Sequence, residues 1–252
     1  MLIIIIPILI LGGIPFLICS SILGILALYE LNKVVFKEKK EKKLMIFSYI
    51  FLITSIILNK VLMVNILDYR LLILYLLILL SFIVLVDDKN KYNVVDAFMI
   101  LGISLLVTLP ILALNTIRDV GIVNLAFILI IAVLTDTFAY FIGSYFGKRK
   151  ISSLSRNKSL EGLIGGGLSA MLGGGLFYYF LIDTNLNIAI IFVMCLILSL
   201  IGQVGDLVFS SIKRTYDVKD FSNLIPGHGG ILDRLDSIIF ISLMYLLFLN
   251  IL

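Results

Sequence analysis

The chain has 252 residues, of which 61% are apolar and only 14% charged, with a formal net charge of +4; soluble domains run nearer to about 45–50% apolar and 25% charged. That balance, a mean hydropathy of +1.18 and only two cysteines exclude a soluble enzyme, a secreted disulfide scaffold and a disordered chain. Apolar runs of about 18 residues or more exclude an alternating β-barrel as well, leaving an all-α, polytopic membrane protein.

At about 20 apolar residues per crossing, the spans fall as follows. Residues 2–29 form one stretch interrupted at Gly12-Gly13-Ile14-Pro15, either two short helices or one kinked one. Met1–Ser21 lacks a basic leading region, and Ile18 rather than a small residue precedes Cys19, so a retained membrane segment is expected. Further spans cover 44–66, 71–86, 97–114, 122–142, 163–182, 188–209 and 238–252, giving eight or nine crossings in a single membrane domain. Residues 1–120 make its N-terminal helical part and 121–252 a half rich in polar motifs. Cys19 and Cys195 both sit in apolar runs and read as small core residues.

Charge orients the chain. The loops 33–43, 87–93, 144–161 and 210–236 carry six, two, five and four Lys or Arg, seventeen of the twenty in the chain. They fall on one side of the predicted membrane, which the positive-inside rule makes the cytoplasm. The 33–43 run, with Glu38 and Glu41 interspersed, reads as a solvated helix end near anionic headgroups. The last two loops are longer than connection requires and mix bases with acids, glycines and hydroxyls.

Most carboxylates lie in loops, but Asp136 and Asp206 sit in the cytoplasmic third of apolar helices, where an ionised acid needs a partner or a cation. Asp136 and Tyr140 are one turn apart, and Gly143 and Gly147 extend that face so that another backbone can approach. The plainer reading of Asp136 is a pair with a neighbouring helix. Asp206 follows Gly202-Gln203-Val204-Gly205, which thins the helix around it; its plainer reading is a salt bridge to Lys213 or Arg214. The triplets Gly165-Gly166-Gly167 and Gly173-Gly174-Gly175 read as helix packing, since they lie inside an apolar run.

The richest stretch is Ser210–Asp236, with four bases, one His and a Pro226–Gly230 turn whose bare N–H groups suit phosphate oxygens. Asp233 and Asp236 follow at i, i+3 on one helix face; the plainer readings are an N-cap for Asp233 and a helix-dipole partner for Asp236. For His228 it is a turn hydrogen bond. A few carboxylates beside Lys and Arg are what Mg²⁺ uses while it also holds substrate phosphates. The residues themselves therefore suggest metal-dependent phosphoryl or nucleotidyl transfer at the membrane surface.

This stretch resembles the signature of the phosphatidate cytidylyltransferase (CDP-diacylglycerol synthase) family. That signature runs Ser-x-apolar-Lys-Arg, four residues, Lys-Asp-x-small, two residues, apolar-Pro-x-His-Gly-Gly-apolar-x-Asp-Arg-apolar-Asp, and Ser210–Asp236 fills every specified position. A second block is similar to the family too: Asp136-x-x-Ala139-Tyr140-x-x-Gly143, Gly147-Lys148 and Ser155–Gly162, with Arg156 where the family usually has Pro and Ser159 where it has Thr. The tight resemblance covers 135–236; the first half matches only as a run of membrane helices.

The resemblance implies transfer of CMP from CTP to phosphatidate, with pyrophosphate released. It implies Mg²⁺, with K⁺ as a second cation, on Asp206 and Asp233, with Asp236 and Asp220 as helpers. Lys213, Arg214, Lys219 and Arg234 would bind phosphates, and His228, Gly229 and Gly230 would shape the pocket. Asp136, Tyr140, Ser155, Lys158 and Glu161 would line the site. The implied partners are CTP, phosphatidate and the bilayer, without nucleic acid and with a homodimer left open; the implied location is the inner (plasma) membrane, active site to the cytoplasm. The rival readings are an ion-coupled transporter, a CTP-dependent lipid kinase and a CDP-archaeol-type synthase.

Overall fold

The computed structural model describes residues 2–36, 45–62, 69–86, 92–152, 155–224 and 229–251. Its elements are α1 (Leu2–Leu11), α2 (Gly13–Val35), α3 (Ile46–Leu62), α4 (Tyr69–Val86), α5 (Val94–Val120), α6 (Ile122–Phe146), β1 (Lys150–Ser152), β2 (Ser155–Ser159), α7 (Leu160–Ser169), α8 (Gly175–Leu181), α9 (Ile188–Thr215) and α10 (Leu232–Ile251). A π-helical turn, Ala170–Gly174, joins α7 to α8, so Leu160–Leu181 runs as one span. Among the described residues seven helices are long and apolar enough to cross a membrane, and Ile46–Lys60 is a shorter apolar one. Among the described residues the protein is all-α apart from one two-stranded ribbon.

The interruption near the start resolves into two helices. Gly12 and Gly13 adopt φ of 62° and 53°, a left-handed backbone that side-chain-bearing residues avoid, so α1 stops at Leu11 and α2 begins afresh. The 144–161 loop is less irregular than its sequence suggests. Lys150 pairs with Ser159 and Ser152 with Ser155 in an antiparallel ribbon, which has no alternating apolar signal to announce it.

The chain forms two compact units, residues 1–116 with 221–232, and residues 117–220 with 233–252. In the first unit polar side chains tie the helices: Ser20 donates to Asn115 at 3.0 Å, Asn32 to Ser48 at 3.0 Å, and the Tyr75 and Ser104 hydroxyls meet at 2.7 Å. Such bonds hold helices together in lipid, where apolar burial alone does not discriminate partners. The start of α5 is fixed by a reciprocal pair, Asn93 N–H to Asp96 and Asp96 N–H to the Asn93 side chain, at 3.1 and 3.0 Å. Tyr92, just before it, donates its hydroxyl to the Leu79 carbonyl, and burial pushes its phenol up to about 12. Large apolar side chains such as Ile14, Val84 and Leu85 are exposed, as lipid-facing positions should be.

In the second unit the glycines act as a packing seam. A Cβ at Gly162 would stand 2.6 Å from the Ala139 carbonyl oxygen, and one at Gly166 would stand 2.7 Å from that of Thr135. The backbones of α6 and α7 therefore touch. Gly143 and Gly147 also lie against α7's start, facing Ser159. On α9, a Cβ at Gly205 would meet the Asp236 carbonyl oxygen at 2.7 Å, so α9 and α10 converge where their acids lie. Thr135 donates to Ser199 at 2.8 Å and Tyr245 to Asn124, fastening α6 to α9 and α10. Cys19 and Cys195 are free thiols, and Cys195 is fully buried.

Gly166→Ala should lower stability by about 1–3 kcal/mol, the usual result of forcing extra volume into a closed contact. Gly102, in α5 with nothing within 4 Å of an added Cβ, should tolerate the same change or gain up to about 1 kcal/mol from helix propensity. Thermal unfolding of both variants in one detergent checks the contrast.

Candidate active site

Three helices of the second unit each bring one carboxylate to a common region: Asp136 on α6, Asp206 on α9 and Asp236 on α10. They are close enough for Asp206 to act electrostatically on Asp136, and for both to act on Asp236. Two lysines answer them. Lys158, at the end of β2, forms an ion pair with Asp206 and also acts on Asp136. Lys213, in the last turn of α9, donates to Asp233 Oδ1 at 2.7 Å, with both side chains mostly buried (15% and 8% exposed). Ser210 adds a 3.4 Å contact to Asp206 Oδ1, and Asp236 accepts from the Ser237 N–H at 2.8 Å.

Several local expectations change. Asp206 pairs with Lys158, not with Lys213 or Arg214, because the ribbon carries Lys158 to it while Lys213 is engaged by Asp233. Asp233 is not the N-cap of α10. That position falls to Ile231, and the Asp233 carboxylate turns to Lys213. Tyr140 is 72% exposed, outside the contact formed by Gly143. Glu161 accepts from the Lys148 and Arg149 N–H groups at 3.1 and 3.3 Å, so it clamps the turn after α6. Ser159, at the position where the family usually has Thr, caps α7 by accepting from the Gly162 N–H.

Arg214, Lys219, Asp220 and Arg234 are exposed. The end of α9 closes through Val218 N–H to the Lys213 carbonyl and Asp217 N–H to that of Arg214. Asp217 takes φ 52° there, the left-handed closing position that glycine usually fills. Lys219 and Asp220 follow directly. His228 lies outside the described residues, and so does the Ser155 side chain. So do residues 37–44, which carry most of the first basic loop, and residues 87–91.

Gly229 and Gly230 belong to the first unit, and here the structure adds a residue the sequence reading missed. Glu30, on α2, is fully buried. Its carboxylate accepts from Ser222 Oγ at 2.5 Å and from the Ile231 and Leu232 N–H groups at 2.8 and 2.9 Å. Gly229 has φ 81°, and a Cβ at Gly230 would come within 2.7 Å of either Glu30 oxygen. These two N–H groups directly follow the Pro226–Gly230 stretch and are taken up by Glu30. The available signal was a single acid directly after the 2–29 apolar stretch.

The donor set suits a hard divalent cation. It offers aspartate oxygens, with neither Cys nor His among them. Of the six groups in the network, four are carboxylates (Asp136, Asp206, Asp233, Asp236) and two are ammonium groups (Lys158, Lys213), which occupy carboxylate oxygens as a cation would. Among the described residues no three acidic, His or Cys side chains are gathered as a metal cage.

These features define a polytopic helical membrane protein with a charged site suited to phosphate chemistry. The chain belongs to the Cytidylyltransferase family, whose model matches residues 1–252. It is 36% identical over 241 residues to a Staphylococcus aureus protein named phosphatidate cytidylyltransferase, covering 95% of this chain and 92% of that one. Proteins of the same name from Staphylococcus haemolyticus and Staphylococcus epidermidis are 36% and 34% identical at the same coverage.

Lys213→Ala would remove the ammonium group paired with the mostly buried Asp233 carboxylate, at a cost of about 3–5 kcal/mol. The exposed Arg214→Ala should cost under about 0.5 kcal/mol. Chemical or thermal unfolding in detergent should rank the two variants in that order.

Proposed function

We propose that this protein is a CTP:phosphatidate cytidylyltransferase, transferring CMP from CTP to the phosphate of phosphatidate with release of pyrophosphate and CDP-diacylglycerol. The observation that carries the reading is the convergence of Asp136, Asp206 and Asp236, with Lys158 and the Lys213–Asp233 pair, in a chain aligned almost end to end with proteins of that name. Nucleotidyltransferases generally depend on a metal. Mg²⁺ held by Asp206 and Asp233, with Asp236 in support, would neutralise CTP phosphates and make the α-phosphorus more electrophilic. K⁺ is the proposed second cation.

The chain's own residues do the rest. Lys158 and Lys213, which pair with Asp206 and Asp233, would turn their ammonium groups to substrate phosphates and offset charge as it moves to pyrophosphate. Arg214, Lys219 and Arg234 are exposed bases suited to capturing the triphosphate or the phosphatidate headgroup. Asp220, beside Lys219, and Asp136, near Asp206 and Lys158, would support the bases and the cation. His228, Gly229 and Gly230 would shape the pocket and Tyr140 and Ser155 would line it, while Glu161 holds the Lys148 and Arg149 N–H groups of the loop after α6. The nucleophile is a phosphate oxygen that is already anionic, so no strong general base is required.

The basic loops orient the chain with these groups at the cytoplasmic surface of the plasma membrane, where CTP is dissolved and the phosphatidate headgroup is presented. A homodimer is compatible with this reading and is not needed by it.

Purified protein in mixed micelles should release pyrophosphate only when CTP, Mg²⁺ and phosphatidate are all present, and label from α-³²P-CTP should enter a lipid. Labelled phosphatidate accompanied by free CDP would instead identify a lipid kinase. Asp233→Ala and Asp206→Ala should each lower turnover by at least about 100-fold, a transition-state loss of about 2.7 kcal/mol or more, without loss of membrane insertion. Retained activity in either variant would remove that aspartate from the metal site.

A further inference from the structure

Glu30 does something that none of the acids in the second unit does. It is buried on an apolar helix, and every partner it shows is a neutral donor: the Ser222 hydroxyl and the Ile231 and Leu232 amides. These donors sit at the two ends of one segment, 222–232. The amides of Ile231 and Leu232 are the first of α10, so the carboxylate caps that helix from a position about 200 residues earlier in the chain. A carboxylate at a helix N-terminus satisfies orphan N–H groups and also opposes the helix dipole.

We propose that Glu30 is a positioning residue for nucleotide transfer: by binding Ser222 and the amides of Ile231 and Leu232, it fixes both ends of the 222–232 segment and the starting point of the helix that carries Asp233 and Asp236. The proposal rests on the cytidylyltransferase reading. Glu30 itself touches no substrate. Two further features fit it. A Cβ at Gly230 would stand 2.7 Å from either carboxylate oxygen, so a side chain there would displace Glu30 from its present position. The small residue of the sequence signature, Ser222, supplies a hydroxyl to the same oxygen that accepts from Ile231.

The chemistry makes glutamine a discriminating replacement. It matches glutamate in size, but one of its two terminal atoms is an NH₂ group. Oε1 faces Ser222 and Ile231 and Oε2 faces Leu232, so whichever way the amide turns, a donor meets a donor. A group that positions the turn should therefore lose its effect in Glu30→Gln, with the helix packing around it preserved.

The test compares wild-type protein, Glu30→Gln, Glu30→Asp and Ser222→Ala in the same micelles. Glu30→Gln should lower kcat/KM for CTP at least tenfold and raise the Mg²⁺ concentration needed for half-maximal rate, with KM for phosphatidate unchanged. Glu30→Asp should recover part of the loss, and Ser222→Ala should show a loss of about threefold, again confined to CTP and Mg²⁺. Hydrogen exchange at the Ile231 and Leu232 amides should be at least tenfold faster in Glu30→Gln, a readout independent of turnover. Wild-type kinetics in a folded Glu30→Gln protein, or equal losses towards CTP and phosphatidate, would overturn the proposal. Should Glu30→Gln fail to fold, Ser222→Ala decides: unchanged CTP kinetics there overturn it. A wild-type protein inactive with CTP would refute the cytidylyltransferase reading instead, while the exchange measurement would still report on the cap.

Discussion

The controlling constraint is the cost of negative charge on apolar helices. An ionised carboxylate loses several kcal/mol of hydration when it leaves water, so each such acid here must recover that loss from a specific partner. In the second unit the partners are lysine ammonium groups, and much of the local structure serves to bring them in. The β1–β2 ribbon delivers Lys158 to Asp206, and the end of α9 delivers Lys213 to Asp233. The glycines matter for the same reason. Bare Cα atoms at Gly162, Gly166 and Gly205 allow helix axes close enough for acids from α6, α9 and α10 to interact.

The first unit answers the same constraint differently. Glu30 is satisfied by a hydroxyl and two backbone amides, none of which carries a full charge. The contrast has a physical meaning. Backbone amides are held by the helix they begin, so a carboxylate bound to them is fixed in place. Lysines have long, rotatable stems and can surrender a carboxylate to another cation at little structural cost. One arrangement suits a permanent brace and the other suits groups that exchange partners as substrate arrives.

Much of this was legible in the sequence. Hydropathy marked the spans because length and apolar content are the only requirements for crossing lipid, and the Gly12-Gly13 pair marked the division between α1 and α2 by its need for positive φ. The glycine triplets read correctly as close packing, and the Ser210–Asp236 pattern pointed to the family that the chain-wide match establishes. What escaped were partnerships across long stretches of chain. Asp206 was matched to bases seven or eight residues ahead, whereas its partner lies 48 residues earlier. Glu30 was passed over at the end of the 2–29 stretch because nothing periodic links it to residues 222–232. The ribbon was missed because its strands are short and mostly polar, Ile151 being their one apolar residue, with no sustained alternation to read.

The π turn at Ala170–Gly174 carries one more consequence. A single extra residue in a helical turn rotates everything beyond it by about 100° relative to an uninterrupted α-helix. Before the turn, Gly162 and Gly166 face α6; after it, Gly175 faces Phe192 of α9, while Gly174 within it meets Ile131 and Cys195. The insertion thus sets the angular phase between two glycine faces on one continuous rod. Excising one residue from that turn would restore regular winding and swing one face out of alignment with the other, so the span's length is fixed to the residue by the two neighbours it must serve.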